Sequence, residues 1–259
     1  MQPAPVFILS DFGTGDTYVA QMKASLLSVA GYSTRIVDLT HEISRGNVSQ
    51  GAFHIRTVLP HLPEGSVVLA VVDPGVGSSR LGLVGLWQGR YIVAPDNGLI
   101  SMLAEDVTCW KLPSPGPASS RTFHGRDVFA PCAGRIALDP GWTAFLEPLE
   151  KPVLISVSPP EFQPDMVVVQ VLHTDSFGNC ILNLEEREAI GVEFKSIIKD
   201  SSEIPLSHVD FYSQASAPEN ALILPGSLGY MEIALNGSSA SELLNLIPGN
   251  TVRLTIRRN

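Results

Sequence analysis

VVDPGVGSSR at positions 71 to 80 sets an aspartate, Asp73, and an arginine, Arg80, at the two ends of a Gly, Pro, Val and Ser turn. TFHGRDVFAP at 122 to 131 adds His124. An arginine beside an aspartate holds the carboxylate ionised and oriented, and its own charge cannot be lost. Histidine is the side chain best suited to hold or move a proton near neutral pH. Each residue also has a plainer reading. A surface Asp and Arg form a solvated pair that contributes almost nothing, and a loop histidine can simply bond a neighbouring carbonyl. Asp127, just beyond His124, is placed to cap a following helix.

A third carboxylate, Asp11 in ILSDFGTGDTYV, directly follows an apolar run. As a structural residue, it or Asp16 is a helix N-cap. As a functional one, an ionised carboxylate at that place accepts both hydroxyls of a ribose. Gly13 and Gly15 form a GxG, but Tyr18 stands where a dinucleotide fingerprint wants a small residue, so the pattern of a pyrophosphate cradle is incomplete. Asp38 ends the second apolar run in the same manner. In HTDSFGNCILN, Asp175 and Asn179 flank an aromatic, Phe177. That combination resembles a base-recognition surface, with an amide to read a purine edge and a ring to pack on it. PGSLGYMEIALNGSSA brings Ser227, Glu232, Asn236 and Gly237, each of which also suits an ordinary barrel turn.

These residues need elements to position them. VFIL at 6 to 9 reads as a buried strand, and Val19, Met22, Leu26 and Val29 recur at helical spacing over about 16 to 29. TRIVDL, then a helix through VSQGAFHIRTVL, then SVVLAVV repeat the pattern. Such alternation predicts an α/β, Rossmann-like N-terminal domain with a mainly parallel sheet, over residues 1–155. Ligands of such sheets bind beyond the C-terminal ends of the strands, where Asp11, Asp73 and His124 are expected. Prolines at 148, 152, 159, 160 and 164 mark a linker over 146 to 165. After it, MVVVQVLH, CILNL, ALIL, YMEIAL and TVRLTIRR predict a small β-barrel or sandwich over 165–259, with one helix near 239 to 246. LPSPGPASS at 112 to 120 reads as a surface loop, and no internal repeat is evident.

Composition sets the outer bounds. With 259 residues and 44% hydrophobic content, the chain can bury a sizeable core. A net charge of -9 argues against nucleic acid and against an anionic membrane surface, both of which call for a basic stripe. Small molecules are therefore the expected ligand class. Cys109, Cys132 and Cys180 are odd in number and form no CxxC pair, which fits a reducing cytoplasm, so the sequons at Asn47 and Asn236 read as chance matches. No segment approaches a membrane span or a secretory signal. The six histidines show no metal spacing, and no metal is expected.

Taken together, SDFGTGD, VVDPGVGSSR, VAPDNG, TFHGRDVFAP, DSFGN and GSLGYMEIALNG resemble, in order along nearly the whole chain, the motif set of the S-adenosyl-L-methionine hydroxide adenosyltransferases. These group with the fluorinase and chlorinase enzymes. The resemblance implies a Rossmann-like domain, a C-terminal β-barrel and a homotrimer with active sites at subunit interfaces. It also implies a reaction in which a nucleophile displaces methionine from C5′ of the substrate's ribose. Carried over by motif, Asp11 grips the ribose hydroxyls, while Asn179 and the backbone near Asn236 and Gly237 read the adenine. Ser227 and Asp175 hold the methionine carboxylate and amine, with Glu232 in the same segment. Asp73, Arg80 and His124 match the triad placed around an attacking water.

The halogenases of that group resemble the chain elsewhere but lack this triad, and the fluorinase has a serine where Gly125 stands. A carboxylate repels halide, whereas water, a poor nucleophile, benefits from a group that accepts or orients its proton. The substrate's sulfonium is already an activated leaving group, so no cofactor is expected. The implied activity is hydrolysis to adenosine and L-methionine. The alternatives are a chlorinase and a non-catalytic adenosine or S-adenosyl-L-methionine sensor.

Overall fold

The computed structural model describes residues 2–199, 202–214 and 220–258. The chain divides into two compact units, Met1–Val157 and Ser158–Asn259.

In the first unit, β1 (Val6–Ser10), β2 (Ile36–Thr40), β3 (Val67–Val71), β4 (Gly82–Trp87), β5 (Arg90–Pro95) and β6 (Val107–Lys111) form one six-stranded sheet in the order β2-β1-β3-β5-β4-β6. β2, β1, β3 and β5 are mutually parallel along that order, while β4 runs antiparallel to both β5 and β6. The sheet is therefore mixed, which corrects the expectation of a mainly parallel one. The physical reason is chain length. Only Gln88 and Gly89 separate β4 from β5, enough for a hairpin but far too few for the crossover that parallel strands require.

Helices cover both faces, as an alternation of strands and helices demands. α1 (Tyr18–Ala30) and α3 (Ala130–Leu138) pack Met22, Leu26, Ala133 and Ile136 against Ile8, Leu69 and Val71 on one face. α2 (Val48–Val58) sets Ile55 with Leu9, Val68 and Ala70 on the other. Asn47 caps α2 by accepting from Gln50 N, a bond of 3.0 Å. The proline-rich stretch read as a linker is partly built into this unit. Lys111 N donates to Glu147 O and Leu149 N to Cys109 O, each at 2.8 Å, and Val153 N donates to the buried Asp96 Oδ1 at 2.7 Å. Burial pushes the Asp96 carboxyl above its usual range.

In the second unit, β7 (Glu161–Phe162), β8 (Met166–Thr174), β9 (Cys180–Glu185), β10 (Val192–Lys199), β11 (Ser202–His208), β12 (Ala221–Pro225), β13 (Tyr230–Leu235) and β14 (Thr251–Arg258) follow one another, with a short helix α4 (Ala240–Leu243) before the last. The hydrogen-bonded order β14-β10-β11-β12-β13-β9-β8 closes on itself through the β14–β8 pairing, giving a seven-stranded barrel with β7 alongside β8. Its interior holds Val167, Val169, Leu182, Phe194, Ile223, Ile233 and Leu254. Closure removes the exposed edges that an open sheet of this size would present. No helix among the described residues is long and apolar enough to cross a membrane.

Candidate active site

Asp73 lies just beyond β3, and the loop it begins folds against the segment that leads to His124. Gly77 is the point of contact: its φ is +80°, and a side chain there would stand 2.8 Å from the Arg121 carbonyl oxygen. Only glycine permits that approach in that conformation. His124 immediately precedes a π-helical turn, Gly125–Phe129, that runs into α3. Asp127 sits inside this turn and does not cap a helix. Its carboxylate instead accepts from Ser120 N at 2.7 Å and from Arg126 Nε at 2.6 Å.

Arg80 joins the two loops. Its Nε donates to Asp73 Oδ1 at 2.7 Å, its Nη2 donates to Asp73 Oδ2, and the same Nη2 lies 3.0 Å from His124 Nδ1. The side chains of Arg80 and Asp73 are only 11% and 5% exposed, so this is not the solvated surface pair of the plainer reading. Nor does His124 bond a carbonyl through Nδ1. The guanidinium packs at 5.0 Å over the Phe129 ring, which adds cation–π attraction and fixes its plane.

That geometry decides a tautomer. Arginine has donors and no acceptor, so His124 Nδ1 must accept, and the proton of the neutral ring is on Nε2. Burial first, and then the Arg80 charge, hold His124 below the ordinary histidine range, partly opposed by Asp73 and Asp127. The ring is thus a neutral Nε2–H donor near pH 7. Asp73 and His124 line a cavity of about 440 Å³ together with Phe12, Tyr18 and Phe123. Those three rings pack on one another at 5.2 to 6.0 Å between centroids. Sequence reasoning did not single them out as a cluster, although Tyr18 was conspicuous as the residue that breaks the GxGxxG pattern.

Asp11 is not among the residues lining that cavity, but its neighbour Phe12 is. Neither Asp11 nor Asp16 caps α1, where Thr17 holds the N-cap position without a side-chain capping bond to the backbone. Asp11 Oδ2 accepts instead from Gly46 N, at 2.8 Å.

In the barrel unit the sequence-selected residues converge. Asp175, Phe177, Asn179, Ser227, Glu232, Asn236 and Gly237 all line one cavity of about 630 Å³. Asp175 organises its own loop, since Oδ1 accepts from Phe177 N and Asn179 N and Oδ2 from Asn179 Nδ2, all at 2.9 Å. Gly178, at φ +83°, lets the loop touch α4's start: a side chain there would lie 2.2 Å from Ser239 Oγ. Phe177 is 79% exposed at the rim, whereas Asn179 and Glu232 are buried. Tyr212, absent from the sequence reading, links them. Asn179 Nδ2 donates to its hydroxyl at 3.4 Å, and that hydroxyl donates to Glu232 Oε1. Burial pushes both the Glu232 carboxyl and the Tyr212 phenol up. Nothing in the sequence around Tyr212 has a strand or helix period that would have marked it.

The description SAM hydroxide adenosyltransferase N-terminal domain matches residues 6–145, and the corresponding C-terminal domain matches residues 169–253. The chain belongs to the SAM hydroxide adenosyltransferase family. Within it, the chain is similar to the (R)-S-adenosyl-L-methionine hydrolase of Thermus thermophilus, with 36% identity covering 96% of this chain and 99% of the relative. It is more distantly similar to the fluorinase of Actinopolyspora mzabensis, with 25% identity over 96% of each. A conserved protein of Thermotoga maritima, known as a crystal structure, shares the fold at a TM-score of 0.89 and 26% identity, over 96% of this chain and 99% of that one. Both family matches fall where the site residues lie: the triad in the first, the barrel cavity in the second.

Proposed function

We propose that the chain hydrolyses S-adenosyl-L-methionine to adenosine and L-methionine by attack of water or hydroxide at C5′ of the ribose. The observation that carries this reading is the Asp73–Arg80–His124 contact in a cavity wall, supported by the hydrolase relative. The oxygen of water forms the bond to C5′, and the C5′–S bond breaks with its electron pair going to sulfur, which leaves as a neutral thioether. The water's proton passes to Asp73, the triad's acceptor, and from there to solvent. His124 donates from Nε2 to the attacking oxygen and orients it, while Arg80 orients the Asp73 carboxylate and holds the imidazole tautomer. The sulfonium needs no activation, so the reaction calls for no metal or redox cofactor.

Asp11 accepts from the ribose hydroxyls with the oxygen that Gly46 leaves. Asn179, whose amide nitrogen is held by Asp175, reads the adenine with its carbonyl oxygen, beside Phe177 and the backbone of Asn236 and Gly237. Ser227, Asp175 and Glu232 serve the methionine end. The partners are small molecules, not nucleic acid or membrane, in the cytoplasm. The working form is a homotrimer with active sites at subunit interfaces; the exposed Phe177 is the kind of residue such an interface would cover. Turnover in oxygen-18 water tests the reaction. Labelled adenosine is expected, and unlabelled adenosine, or none, rejects direct attack at C5′.

A further inference from the structure

A second line of polar side chains runs beside β1, and no step above uses it. Ser10, the last residue of β1, is fully buried, and its Oγ lies 2.7 Å from Nδ1 of the buried His41. His41 Nε2 stands 3.2 Å from Asp38 Oδ1, within ion-pair distance although not aligned as a hydrogen bond. Asp38 Oδ2 accepts from Lys23 Nζ at 2.6 Å. A serine, histidine and aspartate in a row suggest a nucleophile. With none of its surface exposed, however, the Ser10 hydroxyl is out of reach of any substrate.

What the line does is join two loops. Because Nε2 faces a carboxylate, the neutral ring has its proton there, and Nδ1 accepts from the Ser10 hydroxyl. Ser10 Oγ in turn accepts a long bond, 3.4 Å, from Phe12 N. The backbone adds to this, for Gly13 N donates to His41 O at 2.8 Å. The loop that begins at His41 then delivers Gly46 N to Asp11 Oδ2 at 2.8 Å. Asp11 is thus bracketed by bonds to His41 at Ser10 and Gly13 and is itself held by Gly46. Phe12, the next residue, lines the cavity that Asp73 and His124 also line.

We propose that His41 is a positioning residue that acts through Ser10 and its own loop to set the Asp11 carboxylate for the vicinal hydroxyls of ribose; this rests on the reading of Asp11 given above. A diol grips a carboxylate by two directional bonds, and a shift of about half an ångström in the carboxylate is enough to lose one of them. Asp38 and Lys23, nearer the surface, hold the imidazole in its tautomer.

The experiment measures binding of adenosine and of 2′,3′-dideoxyadenosine by calorimetry, together with KM and kcat for S-adenosyl-L-methionine. The proteins are the wild type, Ser10→Ala, His41→Leu and His41→Asn. The wild type should prefer adenosine over the dideoxy compound, and Ser10→Ala and His41→Leu should lose roughly tenfold of that preference, the usual effect of spoiling a hydrogen bond to a charged group. KM should rise by a similar factor with kcat little changed, since ribose contacts are made equally in ground and transition states. His41→Asn should recover most of the preference, because its Oδ1 stands where Nδ1 stood and accepts from Ser10. A merely structural role would lower the melting temperature without changing the preference. Full preference retained in both Ser10→Ala and His41→Leu overturns the positioning role while leaving Asp11 as the ribose acceptor. If the wild type itself shows no preference, the reading of Asp11 fails and this inference fails with it. Ser10→Ala removes one hydroxyl only, so it decides the matter even if His41→Leu does not fold.

Discussion

Arg80→Met tests the triad most directly, because it keeps the length of the side chain while removing everything polar. Arg80 makes two bonds to a carboxylate that is 5% exposed and one to a buried imidazole. At a charge separation of about 4 Å and an effective dielectric constant near 20, its attraction for Asp73 is roughly 4 kcal/mol. Orphaning one partner of a buried pair usually costs about 3–5 kcal/mol, and the lower end applies because Asp73 borders a cavity that solvent can enter. Part of that loss appears as stability. The part that falls on the preorganised geometry should lower kcat by roughly a hundredfold to a thousandfold. A second readout follows from His124. In the proposed mechanism its neutral ring is the working form, so the acid limb of the kcat profile should lie below the ordinary histidine range in the wild type, set by burial and then by Arg80. Arg80→Met removes one lowering influence and leaves Asp73 and Asp127, which both raise, so the limb should move to higher pH. Arg80→Lys keeps the charge but not the fork that serves Asp73 and His124 at once, and should fall between. The assay is release of adenosine, resolved by chromatography, across pH, on protein whose melting shows it folded. A kcat within threefold of wild type, or an acid limb that stays or moves down, refutes the reasoning.

Two further substitutions probe the barrel cavity. Gly178→Ala places a methyl group where Ser239 stands, in a backbone conformation that alanine resists, so it should cost about 1–3 kcal/mol. Adenosine binding should weaken, and calorimetry showing unchanged affinity would separate the DSFGN loop from base recognition. Glu232→Gln removes a carboxyl whose folded pKa is raised chiefly by burial. In the wild type its contribution to stability is fully present below the unfolded value of 4.5 and is lost as pH rises through the folded value. The variant should therefore melt higher than wild type near neutral pH, and the gap should close as pH falls towards about 4. A gap independent of pH would contradict burial of this carboxyl.

The types of the site residues were legible in the sequence, but their contacts were not. Asp73 and Arg80 sit at the ends of one short turn and could be paired by eye. That His124 meets the same Nη2 that serves Asp73 depends on Gly77 admitting the Arg121 carbonyl and on a π-helical turn where an ordinary helix start was expected. Both are long-range matters of backbone fit, invisible to spacing. Seven of the residues that line the barrel cavity stood out in the sequence, because they come from two glycine-containing segments where polar side chains interrupt strands. Tyr212 escaped because it lies in a stretch with neither period. The fold followed the same division. β1 to β3 and their helices announce themselves by periodicity, whereas glycines break up β4, and Lys195, Lys199, Glu203 and Pro205 break up β10 and β11. The hairpin between β4 and β5 is what makes the sheet mixed.

The choice between water and halide follows from where the triad's charges point. With His124 neutral, Asp73 and Arg80 sum to zero, so the wall has no net attraction for an anion. The arrangement is not symmetric, however. The three guanidinium hydrogen bonds described above are directed at Asp73 and His124, and Arg80 itself does not line the cavity, whereas Asp73 does. A halide in the cavity would meet the carboxylate at close range and the arginine only behind it. With the carboxylate at about 4 Å and the guanidinium at about 8 Å, the net repulsion is roughly 0.5 kcal/mol if the site is as polar as water and roughly 2 kcal/mol at an effective dielectric constant near 20. That range spans a discrimination of about twofold to thirtyfold. Water carries no charge to be repelled, and in the proposed mechanism it presents a proton to Asp73 and a lone pair to His124 Nε2–H. The more fully bound substrate excludes solvent from the cavity, the stronger both effects become.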